Sequence, residues 1–241
     1  MRGRTIALAV LLLGVPLQAD ILVDFNEDPY DFCTCVYYPT PSPDPLGGRH
    51  WNNVWGDIQD PNHVESFSDL VDTTGAVVAG LALSVSGFQA DVPNGMNVDG
   101  AYPQTAQIDA VGTEYGEPPG IVTISGLTEP EYTIRLLSSA SDDPERSWYN
   151  DDTRRTDFAI GGVTKTVHCY ANTNYVESFW NVAPVGGVIT VEVTGATPGG
   201  TETYSWGYLN VMEIIVPEPA TLSLLALGCL AVIRRHRQFA T

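Results

Sequence analysis

The chain has 241 residues and carries 29 acids against 11 bases, a formal net charge of −18. Between residues 20 and 217 the imbalance is steeper, six bases against 28 acids, or −22. Such a surface repels phosphate backbones and excludes nucleic acid as a partner, while it favours solubility and offers carboxylates to divalent cations.

Residues 1–19 read as a signal peptide. Arg2 and Arg4 form a basic start, an apolar run extends from Ile6 to Val15, and Pro16 breaks it. Leu17-Gln18-Ala19 then ends on a small residue of the kind a signal peptidase accepts. The run is too short to span a bilayer, so it predicts a cleaved signal helix and a mature chain that starts near Asp20.

The 198 residues from Asp20 to Pro217 suffice for one large β domain or two small ones. Helical periodicity is nearly absent. Alternating or β-branched segments recur at 21–25, 64–70, 77–86, 106–111, 121–125, 132–139, 156–160, 164–170, 176–182, 188–194 and 204–215, separated by Gly, Pro, Asn and Asp clusters. In Tyr132-Thr133-Ile134-Arg135-Leu136 the period of two puts Tyr132, Ile134 and Leu136 inside and Arg135 in water. Residues 188–193 are more continuously apolar and predict a strand buried near the centre. Trp180 and Trp206 fall in strand-like runs and are expected in or near the core. Strands at this spacing, with no internal repeat, predict an all-β, antiparallel jelly-roll β-sandwich over residues 20–215 and argue against a propeller or solenoid.

Two long loops interrupt the pattern. Residues 26–49 include the stiff run Pro39-Thr40-Pro41-Ser42-Pro43-Asp44-Pro45, which cannot join a central strand. Residues 140–155 gather acids around Arg146, Arg154, Arg155, Trp148 and Tyr149. A sugar site needs an aromatic face for C–H surface and amides, carboxylates or guanidinium groups for hydroxyls. Trp148, Tyr149, Asn150 and Asp151, with Arg146 and Arg154 nearby, supply these within one loop and form the first candidate ligand contact. Trp51 with Asn52 and Asn53 is a second candidate, for which a structural role in capping a turn and plugging the sandwich is the stronger reading.

Three cysteines, Cys33, Cys35 and Cys169, precede the C-terminal apolar run that holds Cys229. In an oxidising compartment they predict one disulfide, between Cys169 and either Cys33 or Cys35, and their spacing fits no standard zinc pattern. No Gly-x-Ser-x-Gly elbow and no His-Glu-x-x-His motif occurs, and no spacing singles out His50, His63 or His168. The expectation is a non-catalytic protein. The alternatives are a structural surface protein without a discrete ligand and an exported glycoside or ester hydrolase.

After Ile215 the composition changes. Pro217 and Pro219 end the last strand, an apolar run extends from Ala220 to Ile233, and Arg234-Arg235-His236-Arg237 follows. Those 14 residues would reach about 21 Å as a helix, short against a hydrocarbon core of about 30 Å. They predict a short C-terminal transmembrane helix that anchors the chain transiently, with the basic cluster kept in the cytoplasm. This order of Pro-Glu-Pro, apolar helix and basic end over residues 216–241 resembles the PEP-CTERM sorting tail. The resemblance implies recognition of Pro217, Glu218 and Pro219 by an exosortase, with Arg234, Arg235 and Arg237 as the stop. It also implies export through the inner membrane to a cell surface or matrix rich in exopolysaccharide.

Local patterns in the exported span resemble galactose-binding-like β-sandwich modules. They include Val23-Asp24-Phe25, Trp51-Asn52-Asn53-Val54, Leu70-Val71-Asp72-Thr73-Thr74-Gly75, and Tyr102-Pro103 followed by Asp109. Further on come Ile124-Ser125-Gly126-Leu127, Arg154-Arg155-Thr156-Asp157-Phe158 and Tyr208-Leu209-Asn210-Val211-Met212-Glu213-Ile214. The resemblance implies a jelly roll that binds carbohydrate without catalysis, although the Pro-rich insertion with Cys33 has no counterpart in it. Such sandwiches often hold a structural Ca²⁺ near paired terminal strands, and Asp24 and Glu213 would meet there if the first and last strands pair. Calcium takes about six to eight oxygens, so these carboxylates would be part of a larger set. No other cofactor is expected.

Overall fold

Side chains alternate across a β-strand, so a strand with one apolar face must bury it against another sheet. The computed structural model describes residues 20–25, 39–55, 60, 62–92, 99–108, 110–140, 154–197 and 206–217. Through the first half of the chain these residues form β1 (Ile21–Phe25), β2 (Asn52–Val54), β3 (Val64–Phe67), β4 (Ala82–Ser86), β5 (Ala90–Val92), the short helix α1 (Thr105–Ile108), β6 (Ala110–Glu114) and β7 (Gly120–Ser125). Then follow β8 (Tyr132–Leu137), β9 (Arg155–Ile160), β10 (Val163–His168), β11 (Glu177–Val182), β12 (Val188–Gly195), β13 (Trp206–Leu209) and β14 (Val211–Ile215). The expected signal peptide and nearly all of the C-terminal tail lie outside the described residues.

Two sheets face each other, in the orders β11-β8-β14-β1-β2 and β10-β9-β12-β7-β4-β3, and a third has the order β13-β6-β5. Their pairings are antiparallel except that of β1 with β2. The chain crosses repeatedly between the two large sheets, as in the jelly-roll sandwich expected from the sequence. Ile21, Val23, Phe25, Ile134, Leu136, Phe179, Met212 and Ile214 meet Leu83, Val85, Val122, Ile124, Phe158, Val191 and Val193 in the main core. Burial of each such side chain stabilises the fold by about 1.5–3 kcal/mol before entropy is counted.

The five-stranded sheet is covered on its outer side too. Leu22, Leu137 and Val211, each one residue out of phase with the main core, pack against Trp51, Tyr102 and Ala106. This second cluster covers Leu22, and Thr40 contacts Asp24, so all five residues of β1 are buried. A smaller cluster of Ala110, Ala140, Cys169 and Tyr208 lies at the third sheet, with Trp206 packed beside it as a near-core residue. There Thr113 Oγ1 donates to the Val193 carbonyl at 2.7 Å and the Tyr208 N–H donates to Thr156 Oγ1 at 2.9 Å, tying β6 and β13 to β12 and β9.

Several boundaries differ from expectation for local reasons. Residues 106–111 are split between α1 and β6, because the Gln104 N–H is taken by Asp99 Oδ1 and the Ala106 N–H by the Pro103 carbonyl, which starts a turn of helix. The expected strand 204–215 breaks at Asn210, whose backbone bonds to Leu137 and Phe25 and whose side-chain oxygen accepts from the Ser139 N–H. β13 and β14 therefore enter different sheets. Residues 77–86 become strand only from Ala82, after a turn in which Asp72 Oδ1 accepts the N–H groups of Thr74 and Ala76. β12 is central as predicted, yet its burial alternates, with Ile189, Val191 and Val193 inside and Thr190 and Glu192 outside.

Candidate functional site

The outer face of the five-stranded sheet concentrates the charged chemistry. In β8 the buried positions are Tyr132, Ile134 and Leu136, as predicted, so Arg135 stands on the outer side. Register places it between Ser178 of β11 and Glu213 of β14, and Glu213 in turn lies opposite Leu22 of β1. Arg135 Nη1 reaches Glu213 Oε2 at 3.2 Å, and the Tyr102 hydroxyl donates to the same oxygen at 3.1 Å. Burial pushes the Tyr102 phenol above its ordinary value, and the neighbouring Glu213 charge adds to the effect. It stays a donor at any physiological pH.

A second ion pair borders the first. Asp44 Oδ2 accepts from Trp51 Nε1 at 2.8 Å and from Arg49 Nε at 3.3 Å, while its other oxygen accepts the N–H groups of Gly47 and Gly48. Burial alone would raise this carboxyl, but the bonds from Trp51 and Gly47 and the Arg49 charge hold it below the usual range. The Arg49 guanidinium lies 5.6 Å from the Trp51 ring centre and 5.9 Å from that of Tyr102, and those rings meet edge to face at 5.8 Å. Two guanidinium groups are thus fixed on one surface by carboxylates and aromatic rings.

Between them opens a cleft of about 400 Å³, lined by Arg49, Tyr102, Arg135, Tyr175, Ser178 and Glu213 among others. The Ala101 N–H donates to the Thr173 carbonyl, and a Cβ on Gly100 would sit 2.1 Å from that same oxygen. Only glycine permits this approach, which brings the Tyr102 and Tyr175 segments to one cleft. Asn172 accepts the Tyr175 N–H and donates to its carbonyl. The Tyr175 hydroxyl donates to Glu177 Oε2 at 2.7 Å, which Lys165 Nζ neutralises at Oε1 from 2.8 Å. Burial raises Glu177, but the Lys165 and Tyr175 bonds outweigh it and hold this carboxyl below its ordinary value.

Trp180 corrects an expectation. Far from the core, it is 63% exposed, and Tyr175 is 58% exposed. In β11 Phe179 is buried, so Ser178 and Trp180 share the outer face, about 6.8 Å apart along the strand. The pairing of β11 with β8 shifts between Phe179 and Val182, and Asn181 takes a left-handed φ of 55°. A bulge of this kind re-aims a side chain at a sheet edge. The strand-like sequence around Trp180 gave no hint of it.

The expected site residues are distributed differently. Arg146, Trp148, Tyr149, Asn150 and Asp151 lie outside the described residues. Arg154 is 7% exposed, which suits a structural position under the surface better than contact with an incoming ligand. Trp51 is buried, Asn52 bridges the Leu22 carbonyl and the Val71 backbone, and Asn53 holds Thr40, so this trio is structural as read, although Asn52 and Asn53 form a strand and not a turn. The first and last strands do pair, with Leu22 opposite Glu213 and Asp24 opposite Val211. Asp24 Oδ2, however, accepts from the Thr40 N–H while Glu213 serves Tyr102 and Arg135. Among the described residues no group of three or more His, Cys, Asp or Glu is assembled for a metal.

The expected disulfide would join Cys169 to a segment outside the described residues. Cys169 is a free, buried thiol, and burial pushes it up to about 11 despite the nearby Thr156 and Ser138 hydroxyls. Cys33 and Cys35 lie outside the described residues. Ser42 Oγ is 3.2 Å from His50 Nδ1, but this hydroxyl also accepts the Trp51 N–H. Among the described residues no carboxylate is seen on the other His50 nitrogen, so the pair lacks the third member that orients a catalytic base.

Residues 216–238 match the PEP-CTERM protein-sorting motif. The motif marks an exported protein that an exosortase-type system sorts to the cell surface. Among the described residues no helix is long and apolar enough to cross a membrane. No curated protein matches the chain. Among solved structures it is similar to the CBM36-1 domain of a multidomain xylanase from the hindgut metagenome of Trinervitermes trinervoides, at 18% identity over 46% of this chain and 82% of that one, with a TM-score of 0.29. It is also similar to TmCBM61 in complex with beta-1,4-galactotriose, at 12% identity over 45% of this chain and 72% of that one, TM-score 0.25. A third likeness is to the exo-beta-1,3-galactanase of Phanerochaete chrysosporium, at 15% identity over 60% of this chain but 32% of that one, TM-score 0.26.

Proposed function

We propose that this exported, surface-sorted protein binds carbohydrate on the outer face of its five-stranded sheet and performs no chemistry there. One observation carries the reading: two exposed aromatic rings, Tyr175 and Trp180, lie on the same face as a cleft whose polar groups are already fixed in place. Sugars need aromatic surface for their C–H faces and rigid donors and acceptors for their hydroxyls. Side chains locked by their own hydrogen bonds lose little entropy when they bind. The cleft offers Arg49, Arg135 and Glu213 in that condition.

The acidic loop 141–153, with Trp148, Tyr149, Asn150 and Asp151, remains a second proposed contact. Its described ends support this: Ala140 donates its N–H to the Cys169 carbonyl, and Cys169 donates to that of Arg154. Both ends of the loop are therefore tied to the segment that leads into Tyr175. A structural Ca²⁺ involving Asp24 or Glu213 would need ligands from other segments.

A glycan array probed with the purified full-length chain, with calcium present, tests the proposal. Binding to a defined glycan class, lost at least tenfold in Trp180→Ala with an unchanged melting temperature, is the expected result. A blank array would leave a structural surface protein as the better account.

A further inference from the structure

We infer that the ligand of this cleft is an uncharged glycan, read through neighbouring hydroxyl groups, and not an acidic polysaccharide. The inference rests on the carbohydrate reading above. Two arginines at a cleft first suggest an anion site, but each guanidinium is already neutralised by a resident carboxylate. Arg49 is held by Asp44 at 3.3 Å and Arg135 by Glu213 at 3.2 Å. Each contact uses one guanidinium nitrogen, so a uronate gripping the remaining N–H groups would sit beside the resident carboxylate and meet its repulsion. Glu213 is only 8% exposed, so water screens that repulsion poorly.

The surrounding charge points the same way. Arg49, Arg135 and Lys165 face Asp44, Glu213 and Glu177 in three pairs, and the Asp20 carboxyl adds a fourth acid that interacts with both Glu213 and Arg135. The local balance is therefore negative inside a span whose net charge is −22, six bases against 28 acids. A polyanion meets repulsion both at long range and within one Debye length, about 8 Å at physiological salt.

A hydroxyl group meets no such conflict. It donates one hydrogen and accepts at its lone pairs, whereas a guanidinium only donates and a carboxylate only accepts. The Arg135–Glu213 pair sets a donor beside an acceptor, so one hydroxyl can accept from Arg135 while its neighbour on the ring donates to Glu213, with the ion pair intact. At the second pair only the Arg49 guanidinium is accessible, because the Asp44 side chain is fully covered. The exposed Tyr175 and Trp180 rings then take the apolar face of the sugar.

Affinity electrophoresis of the full-length chain against two sets of polysaccharides tests the inference. The neutral set is galactan, β-glucan and xylan, and the acidic set is polygalacturonate, alginate and carboxyl-reduced polygalacturonate as its neutral control. The expected result is retardation by at least one neutral polymer, changing less than twofold between 20 and 500 mM NaCl, with carboxyl-reduced polygalacturonate bound at least tenfold more tightly than its parent. Glu213→Gln is expected to weaken neutral binding at least tenfold and to gain affinity for polygalacturonate as Arg135 is released. Preferential binding of an acidic polymer that fades as salt rises would overturn the uncharged-ligand inference and leave the carbohydrate reading standing. No retardation by either set would overturn both.

Discussion

On the outer face of the six-stranded sheet Ser66, Ser84, Thr123 and Thr190 stand opposite one another across β3, β4, β7 and β12. The outer face of the five-stranded sheet carries Arg135, Glu213 and Trp180 instead, and is overlaid by the segments that bring Arg49, Trp51, Tyr102 and Tyr175. Both sheets solve the same burial problem inside, so the difference lies in what is laid over them. Strand alternation by itself yields a plain hydroxyl-bearing surface. The second hydrophobic cluster on the five-stranded sheet gives loops a place to dock, and those loops hold charged groups at fixed separations.

The largest contrast is expected from truncating that docked layer. Trp51→Ala removes a buried ring and the donor to Asp44, and should cost about 3–5 kcal/mol in urea unfolding. Thr123→Ala on the opposite face should stay within about 0.5 kcal/mol of wild type. Gly100→Ala should come next, at about 1–3 kcal/mol, because the new methyl must push back the Thr173 carbonyl. It should also widen the cleft and weaken glycan binding in proportion, whereas Thr123→Ala should leave binding untouched.

Trp180→Ala isolates recognition from folding. An exposed ring on an edge strand contributes little to stability, so unfolding should shift by less than about 0.5 kcal/mol. Glycan affinity in calorimetry should fall at least tenfold, which is about 1.4 kcal/mol. The smallest effect is acid sensitivity. Asp44 and Glu177 titrate below their ordinary values of 3.8 and 4.5, so the folded state holds fewer protons than the unfolded chain. Their contribution is complete above those values and is lost as pH falls through the depressed ones. Asp20 runs the other way: burial and the nearby Glu213 charge raise its carboxyl, so protonation relieves a cost. The urea midpoint of wild type should drop on acidification below about pH 4, and Asp44→Asn should flatten that drop.

The sandwich was legible because its evidence is local. Tyr132, Ile134 and Leu136 show their period of two within five residues, and the structure buries the three of them. The cleft was not legible in the same way. Arg49, Tyr102, Arg135, Tyr175, Ser178 and Glu213 come from separate segments, and only register and the contact between residues 100 and 173 bring them together. Arg135 was correctly read as facing out, yet nothing local said that Glu213 would face it. Trp180 was misread because periodicity assumes a regular strand, and the left-handed Asn181 breaks that regularity.

The central claim is that the aromatic face beside the Arg135–Glu213 pair is where glycan binds. Assigned tryptophan indole N–H signals in an NMR titration with a bound polysaccharide fragment test it most directly. The Trp180 signal should move in proportion to occupancy while the Trp206 signal stays in place. A titration in which the Trp180 signal does not move, and Trp148 alone responds, would contradict the account.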